Sequence, residues 1–109
     1  MAKGKVFFMN KIYSLEEIKN ILYPIFLSNA VYQAILFGSY AKGLATNTSD
    51  IDIVIDSKGE LLNIHFYGLL QEIVERLNKD IDLFEISEIK ENSPIYEAIR
   101  KEGVLLYAK

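Results

Sequence analysis

The chain is 109 residues long, half of them hydrophobic and a quarter charged, with a formal net charge of −3 and a pI near 5.1. That length supplies one core and no second substrate-binding lobe, so a single domain over residues 1–109 is expected. The acidic balance argues against broad or direct nucleic-acid binding, and the lack of cysteine excludes disulfides, thiol catalysis and cysteine-ligated zinc.

The opening Lys3-Gly4-Lys5-Val6-Phe7-Phe8-Met9 joins a basic start to a short apolar run. It lacks the length and the small-residue cleavage site of a signal peptide, and no later segment is apolar for long enough to span a bilayer. A cytoplasmic protein with no membrane contact is therefore expected, with Val6 to Met9 as a candidate partner contact. Ser14-Leu-Glu-Glu17 forms a capping box, with Tyr13 and Ile18 placed as a hydrophobic staple. The helix it opens carries Leu15, Ile18, Leu22 and Ile25 at helical spacing, and Pro24 should kink it or end it near Tyr23. Val31 to Phe37 reads as a first strand and Asp50 to Ile55 as a second. A second helix is expected from about Glu60 to Asn78, burying Leu62, Phe66, Leu69, Leu70, Ile73 and Leu77. Asp80 to Ile86 reads as a third strand. Ser93-Pro94 opens a third helix that Gly103 should stop. Val104 to Tyr107 is a docked extension or a small edge strand. The expected fold is α/β (α+β), a small mixed sheet flanked by helices.

Residues 37–56 carry the chemistry: Phe-Gly-Ser-Tyr-Ala-Lys-Gly-Leu-Ala-Thr-Asn-Thr-Ser-Asp-Ile-Asp-Ile-Val-Ile-Asp. In a strand, residues i and i+2 share a face. Asp50 and Asp52 then project together while Ile51, Ile53 and Ile55 point the other way. Two carboxylates about 4 Å apart repel by roughly 4 kcal/mol at an effective dielectric of 20. A divalent cation removes that conflict, and hard oxygen donors suit magnesium. Ahead of them, Gly38 has no side chain to block a phosphate from the backbone, and Ser39 offers a hydroxyl.

Each residue also has a plainer reading. Asp50 and Asp52 could form the solvent face of a half-buried strand, although Asp is depleted in strands. Ser39 could cap a short turn starting at Tyr40, a role compatible with phosphate binding. Gly43 reads as a turn former. Lys42 is either solvated or phosphate-steering, and His65 a packed or surface residue. Asp56 ends its strand, where an acid more often begins a loop, and is left out of the site. Asp80 and Asp82 share a face, so periodicity permits either as a third carboxylate. Asp80 looks like a residue leading into the strand, whereas Asp82 lies inside the apolar run Ile81, Leu83, Phe84, where an acid needs a reason.

The pattern G-S-x-A-x-G followed by S-D-x-D, set by Gly38, Ser39, Ala41, Gly43, Ser49, Asp50 and Asp52, resembles the signature of the DNA polymerase β-like nucleotidyltransferases. On so short a chain it resembles their minimal nucleotidyltransferase group, with the match running from about Ile12 to Tyr107. The resemblance puts the third carboxylate on Asp82. It implies two magnesium ions held by Asp50, Asp52 and Asp82, with ATP as the nucleotide and its outer phosphates gripped by Gly38 and Ser39. Because the chain offers no acceptor lobe, a partner or a second copy should present the acceptor. Many minimal nucleotidyltransferases are antitoxins that transfer AMP to a tyrosine of an all-helical HEPN-domain ribonuclease toxin, and that is the expected role. A binding module that masks its partner without turnover, and a homodimeric small-molecule nucleotidyltransferase, are the alternatives.

Overall fold

The capping box forms as the sequence requires. The Ser14 hydroxyl accepts the Glu17 N–H at 3.1 Å, and the Glu17 carboxylate accepts the Ser14 N–H at 2.9 Å, opening helix α1 (Leu15–Leu27). The computed structural model describes residues 2–4 and 11–109, so Val6, Phe7, Phe8 and Met9 lie outside the described residues. Tyr13 and Ile18 are buried as the staple demands, but Leu15 is not part of the buried stripe. Pro24 does not end α1, which continues to Leu27. Proline in a helix interior costs about 3 kcal/mol, and burying Ile25 and Phe26 returns about 1.5–3 kcal/mol each. Both side chains are buried within the last turn of the helix. The last carbonyls are capped by side chains: Ser28 Oγ donates to Pro24 O at 2.9 Å and Asn29 Nδ2 to Ile25 O at 2.8 Å.

Among the described residues, five strands make one mixed sheet: β1 (Ala2–Gly4), β2 (Gln33–Phe37), β3 (Ile51–Asp56), β4 (Ile81–Glu85) and β5 (Val104–Ala108), in the order β1-β4-β3-β2-β5. Only β3 and β4 run parallel. A parallel pair needs a crossover, which is helix α3 (Ile64–Leu77). The strand β1 has no counterpart in the sequence reading. The C-terminal run resolves as an edge strand on β2, with Tyr107 packed against Phe26 at a centroid distance of 5.8 Å.

Helices α1 and α3 cover one face of the sheet, over Ala34, Leu36, Ile51, Ile53, Ile55, Ile81 and Leu83. The Tyr13 hydroxyl donates to Leu77 O at 2.6 Å and ties the start of α1 to the end of α3. Helix α3 starts four residues later than expected, because Asn63, at φ 50°, breaks the helical path and stands as the cap before Ile64. Consequently Leu61, not Leu62, is buried. Ser57, itself buried, holds this loop by donating to the Glu85 carboxylate and accepting the Leu61 N–H at 3.2 Å. Helix α4 (Pro94–Glu102) begins as expected, with Ser93 Oγ accepting the Tyr96 N–H at 3.2 Å. It lies against β2 on the opposite side, where the Gly103 backbone closes on Ile35. Gly103 stops it in extended backbone, at φ −63°.

Candidate active site

Strand β2 delivers the chain to Gly38, at φ 75° and ψ −155°, and a four-residue helix α2 (Ser39–Lys42) follows at once. Gly38 is therefore the cap, and Ser39 is the first helical residue; its side chain does not cap the turn as the plainer reading had it. Gly43 ends α2 in the left-handed region, at φ 73° and ψ 22°, as a turn former. Tyr40 is buried beneath α2, and burial pushes its phenol pKa up.

Glycine at position 38 has a second reason beyond the positive φ of the turn. A Cβ there would overlap Asp52 Oδ2 and come within 3.1 Å of Asp52 Cγ. The missing side chain is what lets the Asp52 carboxylate lie against the turn. Asp52 is half-buried, whereas Ile51, Ile53 and Ile55 are buried in the core, as the alternation of a strand demands.

The parallel register pairs Asp52 with Asp82 on β4, and the antiparallel register pairs Asp52 with Phe37 on β2. Neighbouring strands run about 4.8 Å apart. The sheet thus sets two carboxylate-bearing positions side by side. Asp50 and Asp80 stand just before the paired residues Ile51 and Ile81, and the Asp80 carbonyl accepts the Ile51 N–H at 2.9 Å. Register brings Asp82, not Asp80, beside Asp52.

Asp50 arrives on a loop that is bonded to itself. Thr46 N–H donates to Ser49 Oγ at 2.8 Å and Ser49 N–H to Thr46 O at 3.1 Å. Ser49 of the motif is thus a loop-building residue. Lys79, not singled out from the sequence, is 3% exposed and donates through Nζ to Asn47 O at 3.0 Å. Burial pushes its pKa down, and the Asp80 charge opposes that shift. A lysine beside a strand carries no local sign that it will be buried.

The donors at hand are hard oxygens, the chemistry a divalent cation such as magnesium takes. The close seat of Asp52 on Gly38 leaves a carboxylate edge beside a bare backbone, so these residues fit such an ion. Among the described residues no three His, Cys, Asp or Glu side chains already form a metal-binding group. The register therefore supplies a pair with Asp50 adjacent in sequence, not a closed trio.

Beyond the carboxylates the same face is aromatic. Phe84 stands two residues past Asp82, and its ring lies 5.5 Å from that of Phe37. A cleft of about 320 Å³ opens there, lined by Phe84, Glu88, Ile89, Lys90, Ser93 and Ile95. Sequence reasoning missed this wall, whose one signal was the aromatic at i+2 from Asp82. The remaining residues fall outside. Lys42 pairs with Glu102 at 3.6 Å, His65 is exposed on the first turn of α3, and Asp56 accepts the Lys58 N–H at 2.9 Å as a turn residue. No helix among the described residues is long and apolar enough to cross a membrane.

Residues 16–109 match the family described as Polymerase beta, Nucleotidyltransferase. A Methanocaldococcus jannaschii protein, provisionally named protein adenylyltransferase MJ0435, is 36% identical over 77 residues, which are 70% of this chain and 82% of that one. Protein adenylyltransferase MntA of Shewanella oneidensis is 39% identical over 51 residues, which are 47% of this chain and 37% of MntA. Among solved structures, a toxin–antitoxin with AMP-PNP gives a TM-score of 0.72 at 26% identity, covering 84% of this chain and 73% of that one. A tri-AMPylated Shewanella oneidensis HEPN toxin in complex with its MNT antitoxin gives 0.67 at 23% identity, covering 87% and 73%, a likeness of fold alone. With that family match over most of its length and a relative related across four-fifths of its own, the chain belongs to the polymerase β nucleotidyltransferases and is an enzyme of that class.

Proposed function

We propose that this nucleotidyltransferase is a protein adenylyltransferase, moving AMP from ATP onto a tyrosine hydroxyl of a helical HEPN-type toxin and so acting as its antitoxin. The observation that carries the reading is the placement of Asp52 beside Asp82, under a turn that only a glycine permits. The names of the relatives support the choice of a protein acceptor, and the likeness to a toxin–antitoxin with AMP-PNP supports a toxin partner.

In this reading Gly38 N–H and the Ser39 hydroxyl donate to the outer phosphate oxygens of ATP. Asp50, Asp52 and Asp82 would hold magnesium, two ions in all, which when bound neutralises phosphate charge and activates the acceptor oxygen. Asp82 orients the acceptor hydroxyl and takes its proton. The tyrosine oxygen forms a bond to the α-phosphorus as the bond to pyrophosphate breaks. The gain comes from positioning and charge neutralisation, as in phosphoryl transfer generally.

The test is co-expression with a helical HEPN-type partner, then incubation with ATP and magnesium. Mass spectrometry should find AMP on a partner tyrosine, and Asp52→Asn should remove it. A tight complex that stays unmodified would leave a masking module. Transfer onto a small hydroxylated compound, by a homodimer and without any complex, would favour the small-molecule reading.

A further inference from the structure

A buried lysine is uncommon, because the ammonium loses its hydration and must be compensated. Lys79 meets that cost at an informative place. Its Nζ holds the carbonyl of Asn47, 32 residues away in sequence, and the next residue's carbonyl holds the N–H of Ile51. Residues 79 and 80 thereby grip the chain on both sides of Asp50. Around the Asn47 grip the loop is closed on itself, since Thr46 and Ser49 bond each other through backbone and side chain. The strand that continues from Lys79 carries Asp82. One short segment therefore ties the loop bearing Asp50 to the strand bearing Asp82.

We propose that Lys79 is a positioning residue for nucleotidyl transfer, setting the placement of Asp50 relative to Asp52 and Asp82 by clamping the loop at Asn47. The proposal rests on the carboxylate reading given above. An apolar side chain of similar length would fill the same volume and keep the core closed. It could not hold the Asn47 carbonyl, so the loop would be released while the sheet stayed intact. Removing a group that orients metal-binding carboxylates costs about 10–100-fold in metal affinity or activity.

The experiment compares wild-type protein, Lys79→Met, Lys79→Arg, Ser49→Ala and Asp52→Asn for AMP transfer across a magnesium titration and for magnesium affinity by calorimetry with a non-hydrolysable ATP analogue bound, each checked for folding by circular dichroism. Lys79→Met should lose about 10–100-fold in kcat and need more magnesium for half-maximal rate, with KM for ATP at saturating magnesium moved less than threefold. Lys79→Arg, which keeps a donor for the carbonyl, should recover part of the loss. Ser49→Ala loosens the same loop at a part-exposed position outside the core, and should raise the magnesium requirement in the same direction. If Lys79→Met fails to fold, the magnesium dependence of Ser49→Ala and Lys79→Arg decides, and wild-type dependence in both overturns the proposal. A folded Lys79→Met with wild-type kcat and magnesium dependence overturns it too, while an inactive Asp52→Asn keeps the carboxylate reading. Wild-type transfer by Asp52→Asn overturns both.

Discussion

Two glycines bracket the four-residue helix α2, with nearly the same φ, 75° at Gly38 and 73° at Gly43. Their surroundings differ completely. A Cβ at Gly38 would collide with the Asp52 carboxylate, whereas at Gly43 nothing lies within 4 Å. One glycine serves a turn and a carboxylate together, and the other serves a turn alone. Two positions of one motif that look equivalent in the sequence should therefore respond very differently to substitution.

The largest effect is expected where the close approach at Gly38 leads, at Asp52. Asp52→Asn keeps the shape of the side chain and removes its charge, so the fold should persist and transfer should fall below detection in a labelled-ATP assay. Next comes the residue beside it in register. Asp82→Asn should cut kcat strongly while weakening ATP binding less than Asp52→Asn does, and Asp80→Asn should leave turnover near wild type. The reverse order in single-turnover measurements would move the third carboxylate to Asp80.

Gly38→Ala tests the comparison itself. It adds backbone strain to a steric clash, together about 2–4 kcal/mol of destabilisation by urea unfolding, with transfer lost as Asp52 is displaced. Combining it with Asp52→Ala should recover the clash portion and leave the strain, giving a non-additive double-mutant cycle. Gly43→Ala is the smallest perturbation, about 1 kcal/mol from positive φ alone, with kcat within a few-fold of wild type. Equal effects at the two glycines would remove the distinction drawn between them.

Much of this architecture is legible locally. Ser14 and Glu17 announce α1, Ser93 and Pro94 announce α4, and the Ile51-Ile53-Ile55 alternation orients β3 with its aspartates outward. The motif pointed to Gly38 and Asp52 and the resemblance to Asp82; Gly38 lies against the Asp52 carboxylate, and the register pairs Asp52 with Asp82. What escaped depends on contacts distant in sequence. Lys79 reaches Asn47, and Ser57 reaches Glu85, and neither pair leaves a periodic trace. The stop near Tyr23 that Pro24 allowed does not occur, because its penalty is local while the burial of Ile25 and Phe26 that overcomes it is tertiary. Leu62 misled because a helical phase starting at Glu60 runs through Asn63, whose positive φ starts the helix only at Ile64.

The parallel pairing of β3 with β4 also bears on how activity is acquired. Antiparallel neighbours can zip from a tight turn, but a parallel pair forms only after an intervening helix has swung across the sheet and docked. Closing that loop costs chain entropy before any pairing energy is returned, which places such contacts late in folding. Asp52 and Asp82 belong to this slow pair. In stopped-flow refolding, nucleotidyl transfer should therefore return with the slowest phase of α3 docking, followed by a fluorophore on α3, and no faster phase that restores helical circular dichroism should carry activity.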